Sequence, residues 1–216
     1  MEARRRIMTS DRWPVPPLPS EYQRVEYVIG DNYATVIDTG VPGNNNNLRL
    51  NFCFETNKHV NYAAYMGNWI DDNHNAWRLL AATIDTRLYV TRNLKAGNSS
   101  SMNFSSPYAN HKLYFDFTAD KITCVVDGTG IIDTAWHTAG TDNDNTICFG
   151  YRSRTTTGDT GDRKHKWWFF RIWNSGVLIR NFIPCYRKSD NKGGFYETVN
   201  KQFYTSIGPA DFIIPT

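Results

Sequence analysis

A two-residue alternation of apolar and polar side chains runs through much of the chain from residue 20 onward. The segment Leu48–Glu55 shows it most clearly. Its apolar positions are Leu48, Leu50, Phe52 and Phe54. Because successive side chains of a strand point to opposite faces of a sheet, this pattern predicts a half-buried antiparallel strand. Leu113–Phe117 and Ile122–Val126 alternate in the same way and predict two more strands.

Turn residues separate the alternating segments. Asp127-Gly128 predicts a tight hairpin, and Asn174-Ser175-Gly176 predicts a three-residue hairpin loop. Further strands are predicted at Tyr33–Asp38, Ala76–Ala82, Arg87–Arg92, Thr146–Tyr151, Trp167–Trp173, Val177–Pro184, Phe195–Val199 and Gln202–Thr205. No segment has a convincing helical stripe, so about a dozen strands at this spacing predict an all-β fold, a two-sheet antiparallel jelly-roll sandwich.

The first nineteen residues have a different composition from the rest. Four arginines make them basic, and four prolines between Pro14 and Pro19 favour an extended, polyproline-like path. We expect residues 1–19 to be an arm that attaches to a partner, and residues 20–216 to be one jelly-roll domain. The candidate attachment residues are Arg4, Arg5, Arg6, Arg12 and Trp13. A leader without fixed structure is the alternative.

Composition and charge exclude several classes. The chain has 216 residues, 40% hydrophobic and 14% aromatic, which is typical of a globular protein rich in strands. A net charge of +3 is too weak to predict nucleic-acid binding, and no apolar run is long enough to span a membrane. Three consecutive arginines with no apolar segment after them do not form a secretory signal, so we expect synthesis in a cytoplasm.

The cysteines are widely spaced and form no C-x-x-C motif, which argues against a zinc or redox site. They are Cys53, Cys124, Cys148 and Cys185. Without a secretory signal, free and mostly buried thiols are expected.

Four segments of the sequence resemble a known family. Leu18–Val28 and Thr35–Pro42 resemble the opening of LamG-like domains of the concanavalin A-like lectin/glucanase superfamily. Phe170–Asp190 resembles the last long hairpin of those domains, and Gly194–Thr205 resembles their ending. The resemblance covers Leu18 to about Phe212 and implies a jelly roll of two curved antiparallel sheets. Such domains are common in surface proteins of gut bacteria and in structural proteins of their phages.

The resemblance, taken with the arm, implies a non-enzymatic structural or decoration protein of a phage virion. It would attach to other capsid or tail proteins through the arm and bind host cell-surface glycans. A free carbohydrate-binding protein is one alternative, and a glycoside hydrolase is another. A homo-oligomer is left open, and no cofactor is expected.

Aromatic residues beside polar loops are candidate glycan-binding positions, since a ring can carry the apolar face of a sugar while polar side chains bind its hydroxyls. The candidates are Trp69, Asp71, Asn73, His74, Trp77, Arg152 and Trp168. The alternative, favoured for at least half of these residues, is that they are core or merely half-exposed side chains with no ligand. By simple alternation, Trp168 and Phe170 are expected to face opposite to Trp167 and Phe169.

Catalytic and metal sites have weaker signals. Laminarinase-type members of the superfamily carry two glutamates with an aspartate between them. Here Glu21 and Glu26 have the outer spacing, but Gln23 replaces the aspartate, and an edge strand is expected after the proline run. We therefore expect no catalytic residues. Asp142 and Asp144 are the weak candidates for calcium, which prefers oxygen ligands, although Asp-rich turns more often only cap strands.

Overall fold

The computed structural model describes residues 16–31, 34–44, 47–59, 64–68, 75–81, 84–95, 100–118, 121–128, 130–135, 145–150 and 164–215. The regular elements of these ranges are sixteen β-strands. In chain order they are β1 (Tyr22–Arg24), β2 (Val28–Asp31), β3 (Ile37–Pro42), β4 (Leu48–Thr56), β5 (Ala64–Gly67), β6 (Asn75–Ala81), β7 (Arg87–Lys95), β8 (Ser100–Asn103), β9 (Leu113–Phe117), β10 (Lys121–Val126), β11 (Gly130–Ala135), β12 (Thr146–Phe149), β13 (Lys164–Asn174), β14 (Val177–Arg187), β15 (Lys192–Glu197) and β16 (Gln202–Tyr204).

The strands form two antiparallel sheets of a jelly-roll sandwich. The large sheet has the order β11-β10-β9-β4-β13-β14-β15-β16, with β1 added to β14 and β2 added to β13. The small sheet has the order β3-β12-β5-β6-β7-β8. The all-β, two-sheet prediction is therefore confirmed.

An aromatic core fills the space between the sheets. The predicted apolar face of β4 is fully buried there, and Phe52 stacks on Phe115 and Phe170 at ring-centroid distances of 5.2 and 5.1 Å. The small sheet contributes Phe149, whose ring lies 4.5 Å from that of Phe170. Burying an aromatic side chain of this size contributes about 1.5–3 kcal/mol relative to leaving it exposed, so this cluster is a major source of stability.

The first two strands fill a gap in the middle of the large sheet. β13 and β14 pair only from Phe170 and Phe182 towards their shared turn, and they separate beyond that point. β1 pairs with the far end of β14, and β2 pairs with the beginning of β13. The prediction of an edge strand after the proline run is wrong, because this segment bonds to two strands inside the sheet.

The hairpin turns adopt the left-handed backbone that their sequences favour. Asp127 and Gly128 have φ angles of 48° and 76°, as the predicted tight turn requires. Ser175 and Gly176 have φ angles of 49° and 82°, but Asn174 already pairs with Val177. The second loop therefore has two residues and not the three predicted.

Other strand bounds differ from the prediction. β13 begins at Lys164, three residues before the strand predicted at Trp167–Trp173. The strand expected at Tyr33–Asp38 lies later, at Ile37–Pro42. In both cases pairing with a distant strand decides the bounds, and local composition does not contain that information.

A fully buried carboxylate organises the turn between β15 and β16. Glu197 is 0% exposed, and its Oε1 accepts hydrogen bonds from the backbone N–H groups of Asn181 at 2.8 Å and Val199 at 2.9 Å. Its Oε2 accepts from the N–H of Asn200 at 2.8 Å. One side chain thus satisfies three backbone donors and ties the turn to β14.

The four cysteines are free and buried, as predicted. Burial raises the pKa of Cys185 to about 12 and also raises the pKa of Cys53 and Cys124, so these thiols stay protonated at neutral pH. Across the described residues, no helix is long and apolar enough to cross a membrane.

Candidate functional site

The face of the large sheet that points away from the small sheet, called here the outer face, carries an unusual mixture of rings and charges. On β4 the outward positions alternate with the buried apolar ones and include Arg49 and Glu55. On β9 they are Tyr114 and Asp116. A surface that only had to be soluble would not need aromatic rings among these charges, so the outer face is the first place to look for a site.

A β-bulge places Trp168 on the outer face. Trp167 pairs with Phe54 of β4 and Phe169 pairs with the next residue, Cys53, so Trp168 has no partner on β4. The extra residue shifts the alternation by one. Trp167 and Phe170 therefore both point into the core, while Phe169 faces outward. The alternation predicted from the sequence is wrong at this point.

Trp168 is half-buried and contacts three other side chains of the outer face. Its ring lies 5.2 Å from the ring of Tyr27, and the ammonium of Lys112 lies 4.3 Å from its centroid. Its indole Nε1–H donates to Glu26 Oε1 at 3.2 Å. We call the following residues the Trp168 surface: Tyr27, Glu26, Glu55, Lys112, Tyr114, Lys166 and Trp168.

The backbone of Lys112 is fixed by Asp127, in the turn of the β10–β11 hairpin. Its N–H donates to Asp127 Oδ1 at 2.8 Å, and its carbonyl accepts from the N–H of Asp127 at 2.9 Å. The second carboxylate oxygen of Asp127 lies 2.6 Å from His111 Nδ1. The ammonium of Lys112 is thus held near both Trp168 and Tyr114, 5.5 Å from the Tyr114 ring.

Lys166 and Glu55 form the charged pair of the Trp168 surface. Lys166 Nζ lies 2.7 Å from Glu55 Oε1 and 5.5 Å from the ring centroid of Tyr27. The hydrogen bond to Glu55 raises the pKa of Lys166, which is ionised at neutral pH. The surface therefore offers three amphipathic rings, two ammonium groups and two carboxylates within one half-exposed patch.

A second group of arginines lies further along the outer face. Arg49 binds Asp116 through Nε at 2.8 Å and Nη2 at 2.7 Å, and its guanidinium lies 5.1 Å from the Trp173 ring centroid. Arg171 is only 6% exposed and lies 4.4 Å from the centroid of the Phe169 ring. Burial, and then the charge of Arg24, lower the pKa of Arg171 to about 10.

Two of the glycan-binding candidates lie within the described residues. Trp168 is on the outer face, whereas Trp77 is 0% exposed and lies in the core. The Trp77 Nε1–H donates to the carbonyl of Gly43 at 2.8 Å, so its polar atom is used inside the protein. This corrects the expectation that Trp77 presents its ring to a ligand.

The remaining candidates lie outside the described residues. They are the glycan-binding candidates Trp69, Asp71, Asn73, His74 and Arg152, the attachment candidates Arg4, Arg5, Arg6, Arg12 and Trp13, and the calcium candidates Asp142 and Asp144. In the described part of the chain, no three His, Cys, Asp or Glu side chains are grouped to hold a metal ion.

The structure separates the roles of the two glutamates that have the spacing of a catalytic pair. Glu21 is exposed, and its carbonyl accepts from the N–H of Lys188 at 2.9 Å. Glu26 is exposed and binds the indole of Trp168. Sequence reasoning selected Trp168 and weighed Glu26 as half of a catalytic pair. It did not select the other members of the Trp168 surface, which are Tyr27, Glu55, Lys112, Tyr114 and Lys166. Their only signal in the sequence was an outward position on or beside a strand. Only the pairing of strands that are far apart in the chain brings these side chains together.

No protein-family model and no curated protein matches the sequence. Solved structures that resemble the fold include botulinum neurotoxin type C, whose cell entry depends on two ganglioside molecules. It is 17% identical, with 59% of this chain and 32% of that chain covered and a TM-score of 0.40. Domains LG4-5 of the mouse laminin alpha1 chain are 12% identical, with 73% and 42% covered and a TM-score of 0.39. The chain spans less than half of either structure, and these likenesses are too distant to support a function.

Proposed function

We propose that the protein is a non-enzymatic carbohydrate-binding module whose contact surface is the Trp168 surface. The observation that carries the proposal is the bulge that turns Trp168 onto the outer face, between Tyr27 and Lys112. Aromatic rings with one apolar face and polar neighbours suit the alternating apolar and hydroxyl-bearing faces of a sugar.

Sugar binding also requires polar atoms that can bind the hydroxyl groups, and the side chains around the rings supply them. Carboxylates accept hydrogen bonds from hydroxyl groups, and ammonium groups donate to them. Glu26 fixes the indole by accepting its N–H, and Glu55 orients Lys166. The ring and the polar groups are thus positioned before a ligand arrives, which reduces the entropy lost on binding.

A glycan array probed with the purified protein tests the proposal. The expected result is weak binding to a subset of glycans, since one shallow site gives low affinity and display in many copies compensates by avidity. Trp168→Ala should abolish that binding while the protein remains folded by circular dichroism. The matched control is Trp173→Phe, which keeps a ring on the outer face outside the Trp168 surface. Equal binding by Trp168→Ala and the wild type would refute the assignment.

We further propose, as a finer hypothesis, that the module is displayed on a phage virion and attached through residues 1–19. The support is in the sequence: the basic, proline-rich arm and the resemblance to domains found in phage structural proteins. An extended arm loses less entropy on docking than a flexible chain does. A protein that lacks residues 1–17 should still unfold cooperatively on heating, but it should be absent from purified particles. Normal incorporation of the truncated protein would refute the arm as the attachment.

A further inference from the structure

Glu55 of β4 stands between two lysines of the Trp168 surface. On one side, Lys166 of β13 is its direct partner in the sheet. On the other side, Phe54 pairs with Leu113, so the next position along the two antiparallel strands places Lys112 opposite Glu55. The carboxylate binds Lys166, with 2.7 Å between Lys166 Nζ and Glu55 Oε1. One carboxylate therefore serves two ammonium groups, and the ammonium of Lys112 is left over.

The ammonium of Lys112 contacts rings and not an anion. In the part of the chain that the structure describes, it makes no hydrogen bond and no carboxylate lies within ion-pair distance of it. Its Nζ lies 4.3 Å from the ring centroid of Trp168 and 5.5 Å from that of Tyr114. A ring attracts a cation without neutralising its charge, so the ammonium keeps N–H donors for a ligand. Other cations of the large sheet each pair with a carboxylate: Arg49 with Asp116, Lys166 with Glu55 and Arg187 with Asp190.

The position of Lys112 is restrained at both ends of the residue. Its backbone N–H donates to Asp127 Oδ1 at 2.8 Å, and its ammonium lies against the rings of Trp168 and Tyr114. A lysine side chain that moves freely loses rotamer entropy when a ligand fixes it. Because the fold already restrains this side chain, a ligand that binds its ammonium loses less free energy in this way.

An acidic oxygen bound to this ammonium would lie beside the ring of Trp168. A charge-assisted N–H···O hydrogen bond is about 2.8 Å long. Since Nζ lies 4.3 Å from the ring centroid, the oxygen lies at most about 7 Å from that centroid. One sugar unit with its acidic group spans this distance, so a single acidic sugar can contact both the ring and the ammonium.

We propose that Lys112 is a specificity-determining residue of the Trp168 surface. Its ammonium binds the acidic group, carboxylate or sulfate ester, of a charged glycan, and the surface therefore prefers such a glycan to its neutral counterpart. The inference rests on the proposed function, because it names the class of glycan that the same surface takes. A lysine ammonium is a compact charge with rotatable donors, so it suits either kind of oxyanion.

Matched polysaccharides measure what the acidic group contributes. Polygalacturonate and alginate carry carboxylates, and each is paired with the same polymer after its carboxylates have been reduced to alcohols. Dextran sulfate is paired with dextran. The affinity of the full-length protein for each polymer is measured by calorimetry at two salt concentrations.

Three variants are compared with the wild type. Lys112→Met keeps the apolar stem and removes the charge, and Lys112→Arg keeps the charge. The control is Lys188→Met, which removes the same charge outside the Trp168 surface. Lys188 is exposed in the turn after β14, where its Nζ donates to the carbonyl of Ser20 at 2.7 Å.

At least one acidic polymer should bind the wild type roughly three- to tenfold more tightly than its neutral partner, and added salt should reduce this ratio. Lys112→Met should bring the ratio close to one, whereas Lys112→Arg and Lys188→Met should preserve it. The ratio separates specificity from stability, because a variant that is merely damaged binds both members of a pair less well. The pairs that show the preference identify the acidic group as a carboxylate or a sulfate ester.

The two proposals fail in different ways. The charge preference is wrong if both members of every pair bind the wild type alike, if no polymer binds, or if Lys112→Met keeps the wild-type ratio. In each of these cases, binding on the glycan array that Trp168→Ala abolishes would still support the proposed function. Equal binding by Trp168→Ala and the wild type on that array would refute the proposed function and this inference with it.

Discussion

Replacing Glu197 by glutamine tests whether a single buried carboxylate holds the C-terminal hairpins together. The glutamine Oε1 can still accept from the N–H groups of Asn181 and Val199, which lie 2.8 and 2.9 Å from Glu197 Oε1. Its Nε2, however, faces the N–H of Asn200, which now donates to Oε2 at 2.8 Å. Two donors then meet in a position that is 0% exposed, where water does not compensate.

The expected loss follows from those contacts. A hydrogen bond to a charged acceptor contributes about 1.5–3 kcal/mol, and a buried donor left unsatisfied costs about 1–3 kcal/mol. Allowing for relaxation of the turn, we expect Glu197→Gln to lower the free energy of unfolding by about 2–4 kcal/mol. For a chain of this length that corresponds to a fall in Tm of roughly 5–15 °C.

Urea denaturation followed by tryptophan fluorescence measures the change. The midpoint should fall while the slope of the free energy against urea stays constant, since the surface exposed on unfolding is unaltered. Glu21→Gln is the matched control, because this exposed glutamate should change stability by less than about 0.5 kcal/mol. A loss in Glu197→Gln no larger than that of the control would refute the role assigned to the three hydrogen bonds.

Three further outcomes are expected. Trp77→Ala should destabilise the protein by about 3–5 kcal/mol in thermal or urea melts, whereas Trp168→Ala should cost under about 1.5 kcal/mol. Burial raises the pKa of Asp127, but hydrogen bonds from His111 and a backbone N–H outweigh it and lower the pKa. Melts across pH should show a small stability advantage over Asp127→Asn at neutral pH that begins to decline as the pH falls below about 4 and is lost as the pH falls through the lowered pKa of Asp127. Reducing-sugar assays should detect no release from laminarin or lichenan; release that Glu21→Gln abolishes would contradict a non-enzymatic protein.

Short-range patterns predicted the parts of the fold that local chemistry controls. The alternation in Leu48–Glu55 identified the buried face of β4, and Asp127-Gly128 identified the turn between β10 and β11. Both signals depend only on neighbouring residues. The bulge at Trp168 depends on how β4 pairs with β13, and that register is set by residues more than a hundred positions apart. The run Trp167–Phe170 was the available warning, since four consecutive aromatic residues do not fit a simple alternation.

The candidate site was predicted less well than the fold for the same reason. Trp168 was selected as an aromatic next to a polar loop, but Trp77 had the same surroundings in sequence and lies in the core. Composition cannot distinguish a tryptophan that points inward from one that points outward. Phe54 of β4 pairs with Leu113 of β9, so the next position along the two antiparallel strands places Lys112 opposite Glu55. Only this long-range register made Lys112 relevant to the site.

The gap filled by β1 and β2 has a consequence for how the protein is made. The indole of Trp168 meets a glutamate 142 positions earlier in the chain. At ribosomal rates of about 5–20 residues per second, the first strands wait roughly 7–30 s for the partners between which they insert. During that time β4 has no β13 beside it and presents an unpaired apolar edge, the kind of surface that promotes aggregation. The large sheet therefore closes only after nearly the whole chain has been synthesised, and we expect products truncated before β13 to depend on chaperones for solubility.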